Sequence, residues 1–200
     1  MMKIVGIYLA AGRSRRTGPG IHKLCLPTGN TLLGNIALNT SLSSNLSDVI
    51  VVSNEPSWLL QHTQVERVHI LSCKKACLGQ SYSLLCGLEK AEDMNADGVV
   101  VMLADQPFIT VKLINSLIDD YEHSPQLDYV AASFQDIPRP PILFSKEIFP
   151  SLKKLTGDQG ARSIFFDKSL QGRFTVYSDA KLFYDVDTIE DYNIIKNSLL

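Results

Sequence analysis

Apolar positions recur along this chain in two rhythms. Short runs rich in β-branched residues, over residues 3–10, 48–53, 67–72 and 98–103, read as strands. Between them lie longer stretches with helical spacing. Residues 31–42 place Leu32, Ile36 and Leu42 near one face, residues 81–94 do the same with Leu84, Leu85, Leu88 and Ala91, and residues 111–121 repeat it. Strands joined by helices of that length need right-handed crossovers and hence a mainly parallel, twisted sheet. The runs Val49-Ile50-Val51-Val52 and Val99-Val100-Val101-Met102-Leu103 are apolar on both faces, so helices must cover both sides. The predicted architecture is a Rossmann-like, three-layer α/β fold.

After Asp105 the rhythm becomes more mixed. Residues 129–134, 142–144, 174–177 and 182–186 read as short strands, with a helix around residues 159–166. Asp187-Thr188-Ile189-Glu190-Asp191 supplies an N-cap and an acidic first turn for a last helix, residues 189–199. The Pro-rich residues 137–141 read as a loop over the site. With no repeat, low-complexity tract or linker, residues 1–200 are expected to form one nucleotide-and-substrate domain, residues 1–110 being its nucleotide half and 111–200 its substrate half.

Composition narrows the functional classes. The chain of 200 residues has 45% hydrophobic and 20% charged residues and a formal net charge of -2, so bulk electrostatic binding of nucleic acid is not expected and any anion site must be local. The apolar stretch 4–11 is too short to span a bilayer and runs straight into Gly12-Arg13-Ser14-Arg15-Arg16, without a signal-peptide cleavage pattern. No membrane association is expected. Cys25, Cys73, Cys77 and Cys86 form no CxxC pair and read as reduced thiols of a cytoplasmic protein, although Cys73 and Cys77 could face each other on a turn. His22, His62, His69 and His123 form no cluster, which disfavours a zinc site or a Ser-His-Asp triad.

The candidate chemistry begins directly behind the first strand, at Leu9-Ala10-Ala11-Gly12-Arg13-Ser14-Arg15-Arg16-Thr17-Gly18 and on to Lys23. In doubly wound sheets ligands bind at the carboxyl ends of strands, which puts this loop at the mouth of a site. Gly12 and Gly18 let the backbone turn N–H groups toward an anion, Ala10 and Ala11 permit close approach, and Arg13, Arg16 and Lys23 add charge-assisted contacts to phosphate. Arg15 is expected to face solvent. The spacing matches neither a Walker A loop nor GxGxxG.

Leu103-Ala104-Asp105-Gln106-Pro107 ends the most apolar strand, where a carboxylate is costly unless it is paired or holds a cation. Asp105 suits Mg²⁺, which takes few protein oxygens and keeps phosphates as further ligands. Strand-like alternation would put Asp185 and Asp187 on one face, so Asp187 could add a metal ligand or be an ordinary N-cap. Gly79-Gln80-Ser81-Tyr82-Ser83 opens a helix with N–H and hydroxyl donors, Ser81 and Ser83 among them, for a nucleotide. Gly157-Asp158-Gln159-Gly160-Ala161-Arg162 reads either as a cap with an i, i+4 pair or as a wall of a second-substrate pocket containing Asp158 and Arg162, beside Gln106 and Pro107.

Taken together, LAAGRSRRTG, LADQP, GQSYSL, PPILFSKEIFPSL, LTGDQGARSIF and DVDTIEDY resemble, in order and over nearly the whole chain, the MobA-like molybdenum cofactor nucleotidyltransferases. The resemblance is nearest to their cytidylyltransferase branch, which includes proteins of purine catabolism, because Ala11 stands where guanylyltransferases carry Gly. It implies a nucleotidyltransferase fold, CTP as donor, the phosphate of molybdopterin or molybdenum cofactor as acceptor, Mg²⁺ at Asp105, and delivery to a xanthine-dehydrogenase-type hydroxylase. Three places depart from the family pattern. Thr17 replaces a usual Met, Pro19-Gly20-Ile21-His22 lengthens the segment before Lys23, and Asp136-Ile137-Pro138-Arg139-Pro140 replaces a Gly-containing approach to the second-substrate motif. The residues alone leave open a nucleotidyltransferase for a sugar or polyol phosphate, and a non-catalytic carrier of the cofactor.

Overall fold

Ile4–Leu9 (β1) runs up the middle of the molecule, and the other elements are arranged about it. They follow in chain order as β2 (Pro27–Thr28), β3 (Thr31–Leu32), α1 (Leu33–Leu42), β4 (Asp48–Val52), β5 (Val68–Leu71), α2 (Gln80–Asp93) and β6 (Gly98–Leu103). The second half contributes α3 (Val111–His123), β7 (Tyr129–Phe134), β8 (Ile137–Ser145), α4 (Phe149–Leu152), β9 (Gly172–Val176) and α5 (Ile189–Ile195). The computed structural model describes residues 2–18, 20–59, 65–157 and 160–198, with the backbone only at Arg15 and Arg162.

A seven-stranded sheet has the order β5-β4-β1-β6-β8-β7-β9. The strands β5, β4, β1 and β6 are parallel, β8 is antiparallel to both β6 and β7, and β9 is parallel to β7. The chain moves outward from β1 to β4 and β5, then crosses back to β6. That reversal makes the carboxyl ends of β1 and β6 the topological switch point, the usual place for a ligand crevice.

Period-two alternation divides the strand residues between two cores. Ile4, Tyr8, Val49, Val51, Val100 and Met102 face α1 and α3, packing on Leu38, Leu113 and Leu117. Val5, Ile7, Ile50, Val52, Val99 and Val101 face the opposite layer, with Leu84 and Leu88 of α2 and Phe149 and Leu152 of α4. α2 comes so close to β1 that a Cβ on Gly87 would fall 2.6 Å from Ile7 Cγ2. The three-layer α/β expectation holds, and no helix among the described residues is long and apolar enough to cross a membrane.

Several local expectations are corrected. Residues 137–141 belong to β8 rather than to a loop. β6 pairs with β8 only from Ile142 onward, so Pro138, Pro140 and Pro141 lie where that neighbour asks for no N–H, and proline is tolerated. Residues 182–186 form no strand: Ala180–Phe183 is a 3-10 turn, and the apolar pattern arises because Phe183 and Val186 are buried in different clusters. The expected helix at 159–166 is a 3-10 segment, Ala161–Phe166, with Gln159 outside the described residues. Thr31 and Leu32 pair with β2 before α1 begins. The last helix is capped by Thr188 instead of Asp187, in a capping box with Asp191, and α5 gives way to a 3-10 turn at Lys196–Ser198. Thr110 caps α3 through its side chain.

The cysteines also differ from expectation. α2 lies across the sheet near the end of β5 and brings Cys86 to Cys73, with Cα atoms 6.4 Å apart, as a disulfide, while Cys25 and Cys77 are free. The tertiary packing of α2 creates this pair, and a separation of 13 residues carries no sequence signal for it. His62 lies outside the described residues.

At the opposite end of the sheet from the switch point, Asp97 ties three strands together. Its carboxylate accepts from the Lys3 backbone N–H (3.0 Å) and from Lys146 Nζ (3.1 Å), while its own N–H donates to Lys3 O at 2.8 Å. The Lys3 N–H first, and then Lys146, hold the Asp97 carboxyl below its ordinary value of 3.8. A depressed carboxyl stabilises the fold above its unfolded pKa and loses that contribution as pH falls through the folded value. Asp97→Ala is therefore expected to cost on the order of 1 kcal/mol near neutral pH, an amount reduced by solvent screening. Urea titrations of both proteins should show the difference constant above about pH 5 and closing below about pH 3.

Candidate active site

The loop behind β1 is built to deliver one side chain. Ala10 continues the pairing of β1, its N–H donating to Val52 O at 2.9 Å, and the chain then leaves the sheet. Ser14 takes a left-handed conformation (φ 48°) ahead of a short turn, Arg15–Thr17, which Gly18 (φ 106°) ends. The buried Thr17 hydroxyl donates to Ser14 O (2.6 Å) and faces Ile21 O at 3.0 Å, while Ser14 Oγ accepts the Lys23 N–H at 3.1 Å. Thr17 and Ser14 thus clasp both sides of the longer 19–22 segment, of which Pro19 lies outside the described residues. Lys23 leaves this clasp toward β6.

There its ammonium group meets two carboxylates. Lys23 Nζ lies 2.5 Å from Asp105 Oδ2 and 3.1 Å from Asp187 Oδ1, and Arg16 reaches the same Asp187 oxygen at 2.8 Å. Lys23 is 12% exposed whereas Arg16 is 70% exposed, so Lys23 carries most of the compensation. The Val186 N–H donates to Asp105 O at 2.9 Å, which fastens the C-terminal segment to the end of β6 and sets Asp185 and Asp187 on either side of it. Asp185 Oδ1 accepts from Gln106 Nε2 at 2.9 Å. Burial first, and then the charge of Asp105, push the Asp185 carboxyl above its ordinary range.

Two cavities flank this cluster. One, of about 480 Å³, is walled by Ala10, Ala11, Gly12, Arg13, Arg16 and Lys23, by Gly79, Gln80 and Ser83 at the start of α2, and by Asp105 and Asp187. A Cβ on Gly12 would meet nothing within 4 Å, so the loop stands open to this cavity. The other, of about 530 Å³, lies toward β8 and is bounded by Gln106, Asp185, Arg139 and the apolar residues Leu84, Val101, Phe165 and Phe166. Leu9, Gln80 and Leu103 border both.

The expected site residues therefore separate into groups. Leu9, Ala10, Ala11, Gly12, Arg13, Arg16, Lys23, Ser83, Asp105 and Asp187 come together around the first cavity, and Gln106 lines the second. Ser81 does not join them, because its hydroxyl donates to Gly157 O at 2.7 Å and so fixes the start of α2. Gly18 shapes the loop without lining either cavity, and Pro107 is buried and lines neither. Asp158 and the side chains of Arg15 and Arg162 lie outside the described residues. Gln80, named only as part of the expected helix start, and Arg139 carried no site expectation of their own; the unusual Asp136–Pro140 composition was the available signal for Arg139.

The donor set suits a divalent cation only in company with phosphate. Among the described residues no three His, Cys, Asp or Glu side chains converge to hold a metal by themselves. Mg²⁺ needs only one or two carboxylates when phosphates complete its shell. Asp105 and Asp187 are two such carboxylates already sharing a cation, and Asp105 Oδ1 is buried without a partner. That orphaned hard oxygen fits a metal bound together with phosphate.

Residues 6–172 match the family model described as a MobA-like NTP transferase domain. The chain belongs to that family. It is 35% identical to the purine catabolism protein PucB of Bacillus subtilis, over 98% of this chain and 97% of the relative. It also superposes on Rv0371c of Mycobacterium tuberculosis with a TM-score of 0.82 at 24% identity, covering 98% of each chain, a likeness of fold. A second structure of Rv0371c, in complex with manganese, superposes at 0.79 with 24% identity, covering 98% of this chain and 99% of that one. Within this MobA-like nucleotidyltransferase, Lys23, Asp105 and Asp187 form the most concentrated group of charges at the switch point.

Removing the ammonium group should expose the cost of that concentration. Lys23→Met leaves Asp105 without an ion-pair partner among the described residues and Asp187 with the exposed Arg16. A loss of roughly 1–3 kcal/mol, between surface and buried ion-pair values, is expected by urea unfolding at pH 7 in the presence of a chelator. An unchanged midpoint would show that the cluster is already compensated by solvent.

Proposed function

We propose that the protein transfers CMP from CTP to the phosphate of molybdopterin or molybdenum cofactor and releases pyrophosphate, with Mg²⁺ as the metal, and that its product serves a xanthine-dehydrogenase-type hydroxylase. The observation that carries the reading is the Lys23 ammonium held between Asp105 and Asp187 at the wall of a cavity lined by the Gly12 loop. Ala11 and the remaining motifs favour cytosine by family resemblance. The similarity to a protein named for purine catabolism favours the hydroxylase connection.

In this reading an oxygen of the acceptor phosphate attacks the α-phosphorus of CTP, a new phosphorus–oxygen bond forms, and the bond to the bridging oxygen of the β-phosphate breaks. Pyrophosphate leaves with the bonding pair. No enzyme nucleophile is required; the protein contributes alignment and charge neutralisation. The Gly12 loop binds the triphosphate through backbone N–H groups, while Arg13, Arg16 and Lys23 stabilise the charge that grows on the leaving group. Asp105 and Asp187 would hold the divalent cation, which supplies further neutralisation across the phosphates when bound. A manganese complex of the Rv0371c neighbour is consistent with a divalent ion in this fold.

Pyrophosphate release measured with each nucleoside triphosphate, Mg²⁺ and molybdenum cofactor tests the proposal. CTP should give the highest rate, and Lys23→Ala and Asp105→Asn should each lower it by at least about a hundredfold. Turnover with a sugar phosphate but not with the cofactor would replace the proposed acceptor, and cofactor binding without any nucleotide turnover would replace the transferase by a carrier.

A further inference from the structure

The second cavity contains polar groups whose hydrogen-bonding capacity the protein leaves unused. The side chain of Arg139, at the Pro-rich start of β8, forms no ion pair or hydrogen bond among the described residues, and its Nε is buried without a partner. Gln106 gives its amide N–H to Asp185 and leaves Oε1 buried and unpaired. Around them the walls are largely apolar, with Gln80, Ser163 and Asp185 the other polar residues, and Phe166 is 88% exposed beside the neighbouring Phe165. A buried guanidinium edge and a buried amide oxygen without protein partners are each unfavourable unless water or a ligand completes them, and both open onto the same cavity.

We propose that this cavity takes an acceptor with a flat, largely apolar body carrying N–H donors, and that Arg139 selects it by binding its anionic group. The inference rests on the transferase reading of the adjoining cavity. The flat body would lie against Phe165 and Phe166, an N–H of the ring would donate to Gln106 Oε1, and the guanidinium would donate to phosphate oxygens. Arg139 is thus a specificity-determining residue, placed across Leu9 and Leu103 from Lys23 and Asp105. Its fork geometry makes lysine an incomplete substitute.

Steady-state kinetics with CTP and molybdenum cofactor, using wild type, Arg139→Gln and Arg139→Lys, test the assignment. The glutamine variant should raise KM for the acceptor by at least about tenfold and leave KM for CTP within about twofold, with the lysine variant between the two. An unchanged acceptor KM, or an equal rise in both, overturns the role. If wild type gives no turnover with this pair, the proposed reaction fails by itself. Arg139 is then judged by calorimetric binding of 6-hydroxymethylpterin and its phosphate monoester, with the first cavity saturated by α,β-methylene-CTP. The anion site stands if wild type prefers the phosphate ester by at least about tenfold and Arg139→Gln loses that preference. It is overturned if wild type shows no such preference, if neither pterin binds, or if the glutamine variant keeps the preference.

Discussion

One ammonium group between two carboxylates sets the terms for the rest of the site. Asp105 ends an apolar strand and Asp187 arrives from the far end of the chain, so their proximity is unfavourable unless positive charge lies between them. Lys23 can lie there only because its backbone is held in place. Ser14 Oγ accepts its N–H, Thr17 closes the preceding turns, and Leu24 is buried next to it. The carboxylates have their own restraint, the Val186 N–H on the Asp105 carbonyl. Two loops distant in sequence therefore converge because each satisfies an electrostatic demand made by the other.

The same demand connects stability to the proposed chemistry. Before a triphosphate arrives, Lys23 stabilises the carboxylates; with phosphates and a divalent cation present, both signs of charge acquire new partners. Asp185 is a useful contrast. It lies next to the pair, yet Gln106 rather than a cation holds it, and burial with the neighbouring Asp105 charge raises its carboxyl above the ordinary range. Three nearby carboxylates consequently have two different roles, which their spacing in sequence does not distinguish.

The inner strands of the parallel half were legible because each buries both faces and each covering helix buries one, so hydrophobic period and layer position agree. β1, β4 and β6 follow that rule. Legibility fell where pairing was one-sided or absent. Residues 137–141 looked like a loop because three prolines argue against a central strand, but on the β6 side their N–H groups are not needed. Residues 182–186 looked like a strand because buried apolar residues recur there, although no neighbouring strand pairs with them. The Gly12 loop and Asp105 were found from composition at strand ends. Arg139 was not, since an arginine among prolines acquires meaning only when its Nε is known to be buried and unpaired.

Register explains why two cavities adjoin without merging into one. Leu9 and Leu103 are direct cross-strand partners, the last such pair of β1 with β6, and each borders both cavities. Just beyond this pair the strands diverge into different loops, one carrying Gly12 and Lys23 and the other Asp105 and Gln106. Asp105 lines the first cavity and Gln106 the second, so consecutive residues divide between them. A shift of one residue in the β1–β6 register would bring a different pair to the boundary and separate Lys23 from Asp105. Close packing that only glycine permits, Gly6 against Met102 on one face and Ile7 against Gly87 on the other, disfavours such a shift. The side-chain packing of two central strands thereby positions a polar site that lies beyond their ends.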